Sequence, residues 1–269
     1  MYNDLFSIGP ITIHSYGVLT AVALLAALIL ACARAKKRGL SDDICYGILF
    51  CGVIFGYFCS KLTFVLVEWK SFIQDPKLFL SQSGFVVIGG LAGGVLAAYV
   101  YCRIKKVKFL DYFDLCAPSI AVAQGFGRLG CFMAGCCYGR ETDSCIGIAF
   151  HNSQYAPNNV KLIPTQLISS GLDFLNMAFL IILAKKTKKK GVVAASYMIT
   201  YAIGRFLIEY LRDDERGEIG ALSTSQFFSI IILVVGALFL AWALLHKQVE
   251  EVPVEDKALE TEEENNEEI

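Results

Sequence analysis

Apolar positions in this chain come in long unbroken blocks, too uniform to form one face of a soluble helix. Crossing a bilayer core takes about 20 apolar residues. Runs of that kind lie at Ser15–Ala33, Ile44–Val67, Phe85–Cys102, Tyr112–Gln124, Pro164–Ala184, Val192–Leu211 and Gln226–Leu245. They predict an all-α polytopic membrane protein with about seven transmembrane helices. The fourth run is short and leads directly into a stretch rich in glycine and cysteine. Its helix either continues through Gly135 or breaks there.

Positive charge punctuates the blocks. Arg34, Lys36, Lys37 and Arg38 follow the first run, and Arg103, Lys105, Lys106 and Lys108 follow the third. Lys185, Lys186 and Lys188–Lys190 follow the fifth, and Lys247 follows the last. Seven crossings put all four clusters on one side, which the positive-inside rule makes cytoplasmic. The N-terminus is then outside and the C-terminus cytoplasmic. The first charge is Asp4 and the basic cluster comes after the apolar run, the reverse of a cleavable signal peptide, so the first helix is expected to be retained.

Composition agrees. Of 269 residues 55% are hydrophobic and 18% charged, with a mean hydropathy of +0.55, which excludes an ordinary soluble domain. The formal net charge of −1 hides a segregation, because ten acidic residues fall between Glu250 and Glu268. Residues 249–269 read as an acidic disordered cytoplasmic tail, leaving 1–248 as one membrane domain. The basic connections act as topology signals and anchors for anionic membrane lipids. They give no support to nucleic-acid binding.

Chemistry concentrates in two places. The first is Gly125-Phe126-Gly127-Arg128-Leu129-Gly130-Cys131-Phe132-Met133-Ala134-Gly135-Cys136-Cys137-Tyr138-Gly139-Arg140. An arginine at membrane depth is costly and marks a functional site by default. The second is Arg205, Glu209 and Arg212, spaced i, i+4 and i+7 and so on one helix face. Arg128, Arg140, Arg205 and Arg212 together offer up to four guanidinium forks toward one side. Such forks match phosphate geometry and cannot titrate away. The abundant phosphate at that depth is a phospholipid head group.

Six of the ten cysteines lie in or near apolar runs as small core residues. Cys131, Cys136, Cys137 and Cys145 cluster on the outer side, where packing, a disulfide, a redox pair and a metal site are all open. No Cys-x-x-Cys pair exists and histidines number three, so no metal and no cofactor is expected. His14 and His151 read as surface residues, with His14 a speculative base. Gly89, Gly90, Gly93 and Gly94 permit tight helix packing or close backbone approach to a ligand.

These motifs resemble the bacterial prolipoprotein diacylglyceryl transferase family. Its signature Gly-Arg-x-Gly-Asn-Phe-x-Asn-x-Glu-x-x-Gly maps onto Gly127 through Gly139, with Gly127, Arg128, Gly130, Phe132 and Gly139 matching. Arg205, Phe206, Glu209 and Arg212 match its Arg-Phe-x-x-Glu-x-x-Arg motif. Leu222, Ser223, Gln226 and Ser229 match its entry to the last span, Pro164, Gln166 and Leu167 its Pro-x-Gln-Leu, and Tyr16-Gly17 a Tyr-Gly in the first span. Departures fall on polar positions. Cys131 and Cys136 stand where the signature has Asn and Glu, and Ile88 and Ile163 where the family has histidines.

The resemblance implies transfer of a diacylglyceryl group from phosphatidylglycerol to the lipobox cysteine of prolipoprotein signal peptides, releasing glycerol phosphate, in the bacterial cytoplasmic (inner) membrane. It implies Arg128 and Arg212 on the phosphate, with Arg140 and Arg205 in support and Glu209 and Tyr16 orienting them or handling a proton. Gly89, Gly90, Gly127, Gly130, Gly139 and Gln166 complete the expected substrate site. The alternatives are a same-fold transferase with another donor or acceptor, a non-catalytic phospholipid-binding membrane protein, and a thiol–disulfide oxidoreductase.

Overall fold

A computed structural model of the chain describes residues 4–8, 11–76, 84–214 and 217–246. A hairpin of β1 (Asp4–Ile8) and β2 (Ile11–His14) precedes α1 (Ser15–Lys37), α2 (Asp43–Val67) and the short α3 (Trp69–Gln74). Then come α4 (Val87–Ile104), α5 (Phe109–Ala134), the two-residue strands β3 (Ile148–Ala149) and β4 (Lys161–Leu162), α6 (Thr165–Lys186) and α7 (Val192–Glu209). A small hairpin of β5 (Glu218–Ile219) and β6 (Leu222–Ser223) leads into α8 (Thr224–Leu245). Lys247 and the acidic tail fall outside the described residues.

Six of these helices (α1, α2, α4, α6, α7 and α8) are long and apolar enough to cross a membrane. Their surfaces are inverted relative to a soluble bundle. Leu25, Ile29, Phe50, Tyr57, Leu96, Leu175 and Leu238 are exposed, while Asp114, Ser119, Gln166, Glu209, Arg212 and Gln226 are buried. Apolar exposure on that scale is an interface with lipid. The chain is an all-α polytopic membrane protein.

The fourth apolar run proves to be the first half of a continuous 26-residue helix, α5, which carries the glycines and Arg128 to Ala134. Pro118 sits inside it. Proline removes a helical N–H, and a carbonyl in the turn below, that of Leu115, accepts from the Arg34 guanidinium. Polar residues are affordable in α5 because it is the central helix, packed along α1 on one side and α6 on another. Its Asp114 carboxylate accepts from the backbone N–H groups of Gly191 at 2.6 Å and Ala194 at 2.7 Å. A buried carboxylate there satisfies the orphan donors that open α7 and complements the positive end of that helix.

The basic ends meet at one end of the bundle. Arg38 donates to the Ala184 carbonyl at 3.0 Å, and Lys190 lies 2.8 Å from Asp111. At α8 the expected Leu-Ser-x-x-Gln-x-x-Ser pattern is a capping box. The Ser223 hydroxyl accepts from the Gln226 N–H and the Gln226 side chain accepts from the Ser223 N–H, both at 3.2 Å. Two orphan donors are satisfied reciprocally, which fixes where the last helix starts.

α2 and α4 pack on each other through glycines and touch the rest of the bundle lightly. A Cβ on Gly90 would lie 3.1 Å from the Gly56 carbonyl oxygen, and one on Gly89 would lie 2.0 Å from Thr63 Oγ1. Gly89 and Gly90, expected in the substrate site, allow this close helix–helix approach.

Candidate active site

Opposite the basic end, the C-terminal halves of α5 and α7 converge with the start of α6. α5 stops in a Schellman motif. Gly135 adopts φ 72°, its N–H donates to the Phe132 carbonyl, and the Cys136 N–H donates to the Cys131 carbonyl, both at 3.1 Å. The next residues are stitched between two other segments. The Gly139 N–H donates to the Ile163 carbonyl at 3.0 Å and the Arg140 N–H to the Leu211 carbonyl at 2.9 Å. A Cβ on Gly139 would lie 2.7 Å from both carbonyl oxygens, so only glycine fits the crossing. From α6, Thr165 Oγ1 and Gln166 Nε2 donate to the carbonyls of Cys137 and Cys136, each at 2.7 Å. Above lies a small cap whose core is Phe150, Ala156 and Leu162.

Between α5, α6 and α7 is a cavity of about 290 Å³, lined among others by Arg128, Ser169, Asp173, Asn176, Tyr201 and Arg205. Arg205 is balanced within the protein, with Nη1 3.0 Å from Glu209 Oε2 and Nη2 donating to Ser225 Oγ at 2.7 Å. Among the described residues no hydrogen bond or ion pair holds Arg128, though Asp173 lies within electrostatic reach of both guanidinium groups. A cation beneath the membrane surface with no committed partner is poised for an anionic ligand.

Arg212 is differently employed. Its Nε and Nη2 form a bidentate fork on Asp214 at 2.9 and 2.8 Å, and its side chain is 4% exposed. Burial pushes the Asp214 carboxyl up from its ordinary value, against the pull of Arg212. Arg205 lines this cavity beside Arg128, whereas Arg212, expected beside Arg128 on the phosphate, forks onto Asp214 in the adjoining loop. Arg140 contributes its backbone to the stitching while its side chain is exposed. Gln166 supports the Cys136 carbonyl, and Gly127 has no protein atom within 4 Å of a built Cβ. Gly130 lets the Tyr16 ring approach, 3.1 Å from where its Cβ would be.

All ten cysteines are free. The sulfurs of Cys131, Cys136 and Cys137 lie within 4.8 Å of one another. The Schellman motif is the cause, since its 6→1 hydrogen bond sets the last-turn residue beside the second residue past the cap. Hydrogen bonds from the Cys131 and Cys136 thiols, then the charges of Arg212 and Arg128, draw the Cys137 thiol below its ordinary range. This trio can hold a thiophilic metal, an arrangement the missing Cys-x-x-Cys spacing concealed.

Sequence reasoning missed Asp173, Tyr201 and Asp214. Asp173 carried a readable signal, being the one acid inside the apolar run 164–184 and seven residues from Gln166 on the same helix face. Asp214 follows Arg212 by two residues, a spacing that gives no helical pairing, and only the turn after α7 brings them together.

A cavity lined by two guanidinium groups and set among helices long enough to cross a bilayer suits an anionic ligand in a membrane protein. The sequence profile described as prolipoprotein diacylglyceryl transferase matches residues 3–242, and the chain belongs to that family. It is 43% identical over 233 residues to the phosphatidylglycerol–prolipoprotein diacylglyceryl transferase of Clostridium tetani, covering 86% of this chain and 94% of that one. It is also 43% identical over 228 residues to transferase 2 of that name in Clostridium perfringens, covering 84% and 89%. The Staphylococcus saprophyticus transferase is 31% identical over 242 residues, covering 87% of each.

Proposed function

We propose that this enzyme transfers a diacylglyceryl group from phosphatidylglycerol to the lipobox cysteine thiol of prolipoprotein signal peptides, with release of glycerol phosphate. The observation that carries the reading is the uncommitted Arg128 guanidinium, which lines the cavity together with Arg205. Sulfur attacks the glyceryl carbon, the carbon–oxygen bond to phosphate breaks, and its electron pair leaves with the phosphate. Arg128 meets the negative charge growing on that oxygen. Well-placed donors of this kind contribute about 2.7–4 kcal/mol each to the transition state.

Arg205, held by Glu209 and Ser225, takes a second phosphate oxygen, and Asp173 orients the two guanidinium groups between turnovers. Tyr16 and Gly130 shape the side facing the cysteines. Residues 1–248 act as one membrane domain in the bacterial cytoplasmic membrane, crossing seven times with α5 as the fourth span. The basic end faces the cytoplasm and the cavity faces the outer leaflet. The test is transfer of radiolabelled glyceride from phosphatidylglycerol vesicles to a lipobox peptide by the purified chain. Transfer by wild type and none by Arg128→Ala supports the reading; phosphatidylglycerol binding without transfer overturns it in favour of a lipid-binding protein.

A further inference from the structure

Three thiols meet where the proposed chemistry needs a thiolate, and the groups expected to make one are missing. Ile88 and Ile163 stand where histidines are expected, and Cys131 and Cys136 where Asn and Glu are. The fold presents the three sulfurs deliberately. Cys131 lies in the last turn of α5, Cys136 is drawn back over it by the Schellman hydrogen bond, and Cys137 is held at φ 63°. A left-handed backbone costs a non-glycine residue about 1–2 kcal/mol, and here it is fixed by Thr165 and Gln166 on the flanking carbonyls.

We propose that Cys131, Cys136 and Cys137 form a three-thiolate zinc site with one open coordination position, which the acceptor cysteine enters as a zinc-bound thiolate. Three protein ligands plus one exchangeable position is the catalytic zinc pattern. Zinc–sulfur bonds of about 2.3 Å in a tetrahedron separate the sulfurs by about 3.8 Å. The observed spread, within 4.8 Å, is about 1 Å wider at most.

Charge supports the assignment. Zinc with three thiolates is a monoanion, and a dianion once the acceptor thiolate joins. Arg212 and Arg128 are both within electrostatic reach of Cys137 and offset that charge. Arg128 also lines the cavity assigned to the phosphate. On coordination the acceptor thiol gives its proton to water, because a metal-bound thiol is deprotonated outright. Its electron pair then forms the carbon–sulfur bond as the carbon–oxygen bond breaks and glycerol phosphate departs with that pair. Negative charge thus moves from the metal cluster to the phosphate past Arg128. The thioether product is a poor zinc ligand and leaves the open position free.

Metal binding stands independently of the transferase reading, whereas the role of the open position rests on it. The full-length chain in nanodiscs, stripped of metal, is titrated with Co²⁺ as the probe. We expect one ion per chain with a sulfur-to-cobalt charge-transfer band, displaced by Zn²⁺. Losing second-sphere support alone weakens metal sites 10–100-fold, so Cys131→Ser and Cys137→Ser should each weaken binding at least ~100-fold. Cys145→Ser, at an exposed thiol outside the trio, should bind like wild type.

A lipobox peptide should intensify the band, and its Cys→Ser version should not. No thiolate–cobalt band in the folded wild-type chain, or a disulfide within the trio, overturns the site. A band unchanged by the peptide, or transfer undiminished in the metal-stripped wild-type chain, overturns the open position while leaving the transferase reading intact. A peptide-responsive band with no glyceride transfer sinks the transferase reading and keeps the metal site.

Discussion

Arg205 and Arg212 lie seven residues apart on one helix and its exit turn, yet they do opposite work. Arg205 reaches back into the cavity of α5–α7 and keeps a polar surface open toward Arg128. Arg212 turns to the loop, where Asp214 accepts from its Nε and Nη2 and Gly139 bridges to its backbone. Spacing alone puts both on one stripe. The difference comes from what each meets: a gap between helices for Arg205 near the C-terminus of α7, a stitched cap for Arg212 just beyond it. An arginine in a membrane protein is a ligand site only when the protein leaves some of its donors unspent.

The comparison breaks most sharply in activity. Removing a single well-placed donor of developing negative charge lowers turnover by about 10²–10³. Arg128→Ala is expected at the upper end, and Arg205→Ala about tenfold milder because Arg128 remains. Arg128→Ala should keep the wild-type melting temperature in detergent within a few degrees, whereas Arg205→Ala, which breaks the buried ion pair with Glu209, should lower it. Arg212→Ala should show the reverse ranking. It removes the bidentate fork from the half-buried Asp214 carboxylate, and breaking such pairs destabilises by about 3 kcal/mol when burial is deep. The expected readout is a lowered melting temperature, with surviving folded enzyme retaining most of its turnover. If Arg212→Ala folds normally but cannot transfer, the two arginines share one function and the distinction drawn from geometry is wrong.

How much of this was legible in the sequence follows from what each signal depends on. The spans read out because bilayer thickness imposes a length on apolar runs. Motif order identified the family because glycines such as Gly139 are fixed by backbone crossings that admit no side chain. The Arg205–Glu209 pair was legible because i, i+4 neighbours meet on any helix. The Arg212–Asp214 fork was not, since it depends on a turn whose course is set by Tyr138 and Leu211. The continuity of α5 was ambiguous because glycine and proline signal breaks in water. Here α5 stays continuous among packed neighbouring helices, with Arg34 donating to its Leu115 carbonyl. The cysteine trio read as part of an outer-side cluster with packing, disulfide, redox and metal roles all open, because only the cap at Gly135, which folds the chain back, brings the three sulfurs together.

Two glycines in the same helix-and-loop unit carry the comparison to its smaller effects. At Gly139 an added methyl meets two carbonyl oxygens and the Thr165 side chain, all within 2.8 Å. Overpacking of that kind costs about 1–3 kcal/mol, so Gly139→Ala should lower the melting temperature and loosen the cap, seen as faster hydrogen exchange at Arg140 and Ile163.

Gly127 is the subtler case. It lies one residue before Arg128 in α5, and an added Cβ has no protein atom within 4 Å. Inside a helix alanine is favoured over glycine by about 0.8–1.0 kcal/mol, so Gly127→Ala should raise stability slightly. A position that only served the fold would then show unchanged kinetics. If the open space beside it belongs to the lipid, the same variant should raise the KM for phosphatidylglycerol several-fold with kcat little altered. A more stable enzyme with a wild-type KM would remove Gly127 from the substrate site and confine that site to the Arg128–Arg205 side of the helix.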